Sequence, residues 1–154
     1  MTVRSVRNNN PMNLRVGQPW LGLCPPDEMT EEQKEEQTFC VFKSPAYGFR
    51  AGALTLLTYF RKYKLKSVYS IISRFAPANE NDTQAYVSDV SGKLGVLSSA
   101  PINVEALGTL TALCKAIAVH EGGAWLFDNA DLASGVSMAL GIVNPPDNSN
   151  ALVA

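Results

Sequence analysis

The spacing of apolar residues along this chain divides it into three stretches. From Ser44 to Gly141 apolar positions recur every three or four residues, the period of helices that bury one face. Before Ser44 they are short and scattered among Asn, Pro and Gly. After Gly141 the run IVNPPDNSNALVA has no apolar face and reads as a loose tail.

The middle stretch predicts five helices. The first opens at Ser44-Pro45, a good N-cap followed by a proline whose missing N–H is harmless there. It carries Ala53, Leu56, Leu57, Phe60 and Tyr63 at helical spacing, with Arg61, Lys62, Lys64 and Lys66 near its negative end. A short second helix, Ser67 to Arg74, bears Val68, Ile71 and Ile72. Asn81 or Asp82 caps a third, with Tyr86, Val87, Val90 and Leu94 inward and Gly95 as its stop. The fourth runs from near Asn103 to His120 or Glu121 and stops at Gly122-Gly123. The fifth, Asp128 to Leu140, has Leu132, Val136 and Ala139 on one face.

In the first stretch, Asn8-Asn9-Asn10-Pro11 is a turn, because Asn favours turns and proline excludes its predecessor from the helical region. Leu14, Val16, the segment Trp20 to Leu23 and the run Thr38 to Phe42 read as short strands. Between them, Asp27 to Gln37 is strongly acidic and reads as a solvated loop or exposed helical turn. The expectation is a mainly α (α+β) domain over residues 1–141, with a small N-terminal β/loop subdomain and a tail over 142–154.

Composition narrows the chemistry. The 154 residues suffice for one core, and 46% apolar with 18% charged residues is a globular balance. A net charge of −1 supplies no basic footprint for nucleic acid. No apolar run reaches the roughly 18 residues of a membrane span. The start, MTVRSVRNNNPMN, lacks the apolar core of a signal peptide. Three cysteines (Cys24, Cys40 and Cys114) and one histidine fit neither a disulfide framework nor a zinc site, so no metal or cofactor is expected.

The fourth helix carries the most informative residue. At 100° per residue, Leu107, Leu110, Leu113, Cys114 and Ile117 form one stripe. Glu121 continues that stripe, four residues past Ile117, whereas Glu105 and Lys115 lie off it. A carboxyl on a buried face at a helix C-terminus favours its protonated form, through desolvation and through the helix dipole. A protonated carboxyl near neutral pH is what general acid catalysis of glycoside cleavage requires. The alternative is that Glu121 turns outward and pairs with a lysine or with the N-terminal backbone. His120, at the edge of the stripe, reads as a packed or surface side chain.

These residues also carry a resemblance. Arg7-Asn8-Asn9-Asn10-Pro11-x-Asn13-Leu14-Arg15 resembles the RNNNPGNIR opening of a family of small phage proteins. Trp20-x-Gly22, Phe39-x-x-Phe42-x-Ser44-Pro45-x-x-Gly48-x-Arg50-Ala51 and Ile71-Ile72-x-Arg74-x-Ala76-Pro77 continue it. Glu80-Asn81-Asp82-Thr83, Tyr86, His120-Glu121-x-Gly123 and Gly135-Val136-x-Met138-Ala139 complete it, over about residues 5–141. That family is described as phage structural or virion-associated lytic proteins and resembles the lysozyme-like superfamily. Met12 departs from it where Gly is usual, and Phe75 where Trp is usual. Lytic transglycosylases and flagellar-type glucosaminidases are similar more loosely. They place a catalytic Glu at a helix end, then an Asn- and Gly-containing segment, then helices with a Tyr on the cleft wall. Here the Glu comes last, the order of a circularly permuted lysozyme-like domain.

The resemblance implies a peptidoglycan-degrading enzyme of muramidase or lytic transglycosylase type. Glu121 would protonate the oxygen between N-acetylmuramic acid and N-acetylglucosamine. A hydrolase would add a second carboxylate, Glu80 or Asp82, although Asp82 also suits a helix cap. Asn8, Asn9, Asn10 and Asn13 would bind sugar amides or brace a turn. Trp20 and Tyr86 would line the cleft or fill the core. Its expected partners are peptidoglycan and other virion proteins. Its expected place is the virion, or the host cytoplasm with release to the periplasm at lysis. A cross-link endopeptidase of the same fold and a non-catalytic virion component are the alternatives.

Overall fold

The computed structural model describes residues 2–77 and 80–146, and of residues 80 and 81 the backbone alone. Its order is α1 (Arg4–Arg7), a 3-10 turn (Pro26–Glu28), α2 (Glu31–Lys34), α3 (Pro45–Arg61), α4 (Val68–Phe75), α5 (Glu80–Leu94), α6 (Leu107–Gly122) and α7 (Asn129–Ala139). The five helices α3 to α7 answer to the five read from the apolar period. The class is mainly α.

The core lies where the inward stripes of these helices meet. Phe49, Leu56 and Leu57 of α3, Ile71 and Ile72 of α4, Val90 of α5, and Leu110, Leu113, Cys114 and Ile117 of α6 are all essentially inaccessible. Leu132 and Val136 of α7 close it against α3, the most extensive helix pair. At roughly 1.5–3 kcal/mol per fully buried large apolar side chain, this cluster supplies the main drive to fold.

Helix ends differ from the sequence reading in ways the backbone explains. Ser44 is extended before Pro45, yet its hydroxyl caps nothing. Ser67 does cap α4, in a reciprocal capping box with Ser70. Helix α5 begins at Glu80, so Asn81 and Asp82 lie inside its first turn rather than at its cap. Helix α6 begins at Leu107, not near Asn103, because Asn103 spends its side chain on a separate turn, accepting from Glu105 N at 3.1 Å. Leu107, at the exposed first turn, is 50% exposed and does not join the buried stripe expected of it. Gly123 ends α6 in the left-handed region at φ 83°, which fixes where Glu121 stands.

The expected N-terminal β subdomain is not there. Among the described residues the only strand-like pairings are two isolated bridges, Arg15 with Phe39 and Leu23 with Phe42. Side chains of the Asn run take the places a ladder would occupy. Asn10, fully buried, donates Nδ2 to Leu14 O and Cys40 O, each at 3.0 Å, and accepts from Leu14 N at 3.0 Å. Asn9 donates to Phe42 O at 3.0 Å. Backbone bonds do join the segments, Val16 N to Thr38 O at 3.0 Å and Cys40 N to Leu14 O at 2.9 Å, but the pairing stops at these short bridges and the Asn amides bond the carbonyls beside it.

This segment lies directly on α3. A Cβ on Gly48 would meet Asn9 O at 2.4 Å and Pro11 Cδ at 2.6 Å, so only glycine admits the approach. Met12 is fully buried with its thioether over Gly52, and its φ is not positive. The left-handed residues are Asn9 and Asn13, at φ 50° and 49°, so methionine at position 12 does not disturb the turn.

The acidic run is not uniformly solvated. Gln33 is buried and donates to Arg7 O at 2.6 Å. Glu36 turns inward and gathers four donors: Arg7 Nη2 at 2.6 Å, Asn8 Nδ2 at 3.0 Å, Thr38 N at 3.1 Å and Phe39 N at 3.0 Å. Burial acts to raise its pKa, but those hydrogen bonds and the charge of Arg7 outweigh it and hold the carboxyl below the usual range. At the other end, Gly141 follows α7 and Ile142 N bonds back to Ser137 O at 2.9 Å, while residues 147–154 of the expected tail lie outside the described residues.

Candidate functional site: a carboxyl held from two sides

Glu121 occupies the last turn of α6. Its Oε1 accepts from Asn13 Nδ2 at 2.9 Å, across 108 positions of sequence. Its Oε2 accepts from the Tyr86 hydroxyl at 2.8 Å. Asn13 is held by the left-handed turn after Met12, and Tyr86 by the inward face of α5, where it is 4% exposed. Burial, then the negative charge and hydrogen bond of Glu121, push the Tyr86 phenol far above its ordinary pKa, so it stays a donor. The side-chain oxygen Oδ1 of Asn13 is buried and, among the described residues, without a hydrogen-bond partner.

A pocket of about 490 Å³ opens on this arrangement. Ala76, Asp82, Thr83, Tyr86, His120 and Glu121 are among its walls. Its size falls within the roughly 300–1,000 Å³ of small-ligand clefts. Asp82 is exposed at the α5 end of the pocket. The Thr83 hydroxyl donates to Ala76 O at 2.6 Å and ties α5 to the end of α4.

Beside Glu121, His120 reaches α5 separately. Its ring stacks on Tyr86, with centroids 3.7 Å apart and planes at 24°. Its Nδ1 lies 2.8 Å from Asp89 Oδ2. Asp89 also accepts from Lys93, and these hydrogen bonds from Lys93 and His120 lower its pKa against the opposing effect of burial. Two consecutive residues of α6 are thereby engaged by Tyr86 and Asp89, one turn apart on α5.

The remaining expected site residues lie elsewhere. Asn8 is fully buried, accepting from Arg7 and donating to Glu36. Asn9 and Asn10 direct their amides to backbone carbonyls, as above. Trp20 is half-buried against the Leu14, Cys40, Phe42 and Ala51 cluster. Of the residues read as ligand-binding, the structure gathers Asn13 and Tyr86 around Glu121 and uses Asn8, Asn9 and Asn10 to build the segment that carries Asn13. The side chain of Glu80 lies outside the described residues. Among the described residues, no three His, Cys, Asp or Glu side chains group to hold a metal ion. Periodicity overlooked Asp89 and Lys93. Asp89 lies three residues past Tyr86 and Lys93 four past Asp89 along one flank of α5, and that spacing was the available signal.

No protein-family model matches the sequence. Protein P5 of Pseudoalteromonas phage PM2 is 39% identical to it over 124 residues, which are 78% of this chain and 71% of that protein. This chain belongs to the Protein P5 family. Its kinship is thus with a phage protein, as the Asn-rich opening suggested. A Protein P5 relationship names no reaction, so the chemistry of the cleft rests on its side chains. Among the described residues, no helix is long and apolar enough to cross a membrane.

Proposed function

We propose that this chain is a virion-associated phage enzyme that cleaves the bond between N-acetylmuramic acid and N-acetylglucosamine in peptidoglycan, with Glu121 as general acid. One observation carries the reading: a helix-terminal carboxyl in a pocket wall, oriented on one oxygen by Asn13 and on the other by Tyr86. An unassisted surface glutamate has no such partners, and a carboxyl fixed in this way is held in position toward whatever the pocket binds.

In this scheme Glu121 gives its proton to the leaving glycosidic oxygen. Asn13 Nδ2 and the Tyr86 hydroxyl then stabilise the carboxylate that remains. If the sugar's own hydroxyl attacks, one carboxyl suffices and an anhydro product forms. If water attacks, a second group must take its proton, and Asp82 lines the same pocket. The partners would be peptidoglycan and other virion proteins, with action during host penetration or after release to the periplasm at lysis.

The test is loss of turbidity of chloroform-treated Gram-negative cells by the wild type and by Glu121→Gln, with mass spectrometry of the products. Clearing that disappears in Glu121→Gln, with anhydromuropeptides released, supports a lytic transglycosylase; reducing-end muropeptides support a hydrolase. Free peptide fragments would replace this reading with an endopeptidase. Absence of clearing by folded wild type would replace it with a non-catalytic virion role.

A further inference from the structure

Beyond Glu121, the pocket presents a second titratable group whose surroundings are built. We propose that His120, held by Asp89, is the proton acceptor of this cleft, taking the proton of the attacking hydroxyl through Nε2. The inference rests on the glycan-cleaving reading above.

Three observations carry it. An ionised carboxylate only accepts hydrogen bonds, so in the 2.8 Å contact with Asp89 Oδ2 the donor is His120 Nδ1. In the neutral ring this fixes the tautomer and leaves Nε2 with its lone pair. Second, among the described residues Nε2 makes no hydrogen bond, and the ring forms part of the wall of the pocket that Glu121 also lines. Third, the ring cannot swing freely: it is stacked on a buried Tyr86 at 3.7 Å, and Asp89 is itself held by Lys93. A side chain that only filled space would need none of this. The arrangement of acceptor imidazole, orienting carboxylate and nearby acid is that of a paired acid and base.

The step balances as follows. The bond from C1 to the glycosidic oxygen breaks, and that oxygen takes the proton of Glu121. The oxygen of water, or of the sugar's own hydroxyl, bonds to C1 and gives its proton to His120 Nε2. The imidazolium is balanced by Asp89, and Glu121 and His120 return to their starting states by proton exchange with solvent.

The experiment compares initial rates on purified peptidoglycan for the wild type, His120→Gln, His120→Phe, Asp89→Asn and Glu121→Gln, with folding checked by circular dichroism and thermal midpoint. Gln retains a donor toward Asp89, and Phe retains a ring on Tyr86, but neither accepts a proton. Both His120 variants are expected to lose about 100-fold or more in kcat with KM within about threefold. Asp89→Asn, which leaves the imidazole in place, is expected to lose about 10-fold, and it carries the test if a His120 variant does not fold. Wild-type kcat in either folded His120 variant, or in Asp89→Asn, with Glu121→Gln inactive, would overturn the role of His120 and leave that of Glu121 standing. A wild type inactive on peptidoglycan would overturn both.

Discussion

Replacing Glu36 by Gln tests how the N-terminal segment is held. The side chain is 7% exposed, and its two oxygens divide four donors. Oε1 takes Arg7 and Asn8, and Oε2 takes the N–H groups of Thr38 and Phe39. A glutamine has one oxygen. Whichever way its amide turns, its NH2 faces two donors, and the charge is gone. Hydrogen bonds to a charged group are worth about 1.5–3 kcal/mol each, so losing two, with an arginine left half-buried, should destabilise by about 3–5 kcal/mol. Against a typical total of about 5–15 kcal/mol, that is a large fraction. The sign with pH follows from the lowered pKa of Glu36. Its contribution is fully present above the ordinary carboxylate pKa and is lost as pH falls through the lower folded-state value. Urea unfolding of wild type and Glu36→Gln at neutral pH, repeated in acid, measures both effects. The gap should be wide at neutral pH and close as pH falls through the lowered folded-state pKa of Glu36. A gap under about 1 kcal/mol at neutral pH, or one that widens in acid, would refute the account.

Four further outcomes follow from particular contacts. Asn10→Ala removes three buried hydrogen bonds and strands the carbonyl oxygen of Cys40 and the N–H of Leu14, while Leu14 O keeps its bond from Cys40 N; urea unfolding should show a loss of about 3 kcal/mol. Gly48→Ala forces a methyl group against Asn9 O and Pro11, so it should destabilise by about 2–3 kcal/mol and shift the amide resonances of residues 8–13. Tyr86→Phe keeps the ring on His120 but removes the donor to Glu121; peptidoglycan clearing should fall about 10-fold with a stability change near 1 kcal/mol. For the thiols, burial pushes Cys40 up to about 11 and Cys114 further, while Cys24 is only half-buried. An aromatic disulfide reagent at pH 8 should therefore titrate Cys24 alone in the native protein, and all three after unfolding.

Much of the helical architecture was legible from spacing. The stripes Leu56-Leu57, Ile71-Ile72, Val87-Val90, Leu110-Leu113-Cys114-Ile117 and Leu132-Val136 are local patterns, and a helix buries one face whatever it meets there. The same logic singled out Glu121 as the carboxyl that continues an apolar stripe. The N-terminal stretch was misread for a related reason. Alternating apolar residues such as Leu14, Val16 and Thr38 to Phe42 imply strands only when their backbone groups pair with each other. Here two backbone bonds join Leu14 and Val16 to Cys40 and Thr38, too few for a ladder, and Asn9 and Asn10, up to 33 positions away, bond the carbonyls of Phe42 and Cys40.

By itself, then, the sequence determined the helical class, the five long elements and the one carboxyl on a buried stripe, because each depends on residues within a few turns. Only the tertiary structure decided what that carboxyl meets. Asn13 comes to it from 108 positions away, Tyr86 from 35, and Asp89 reaches His120 across 31. Periodicity assigns a face to a residue but never names its partner. The partner is set by how α5 and α6 lie together and by how Gly48 lets the Asn segment settle on α3. Those placements come from core packing and close backbone contact, summed over the whole chain, and no local pattern records them.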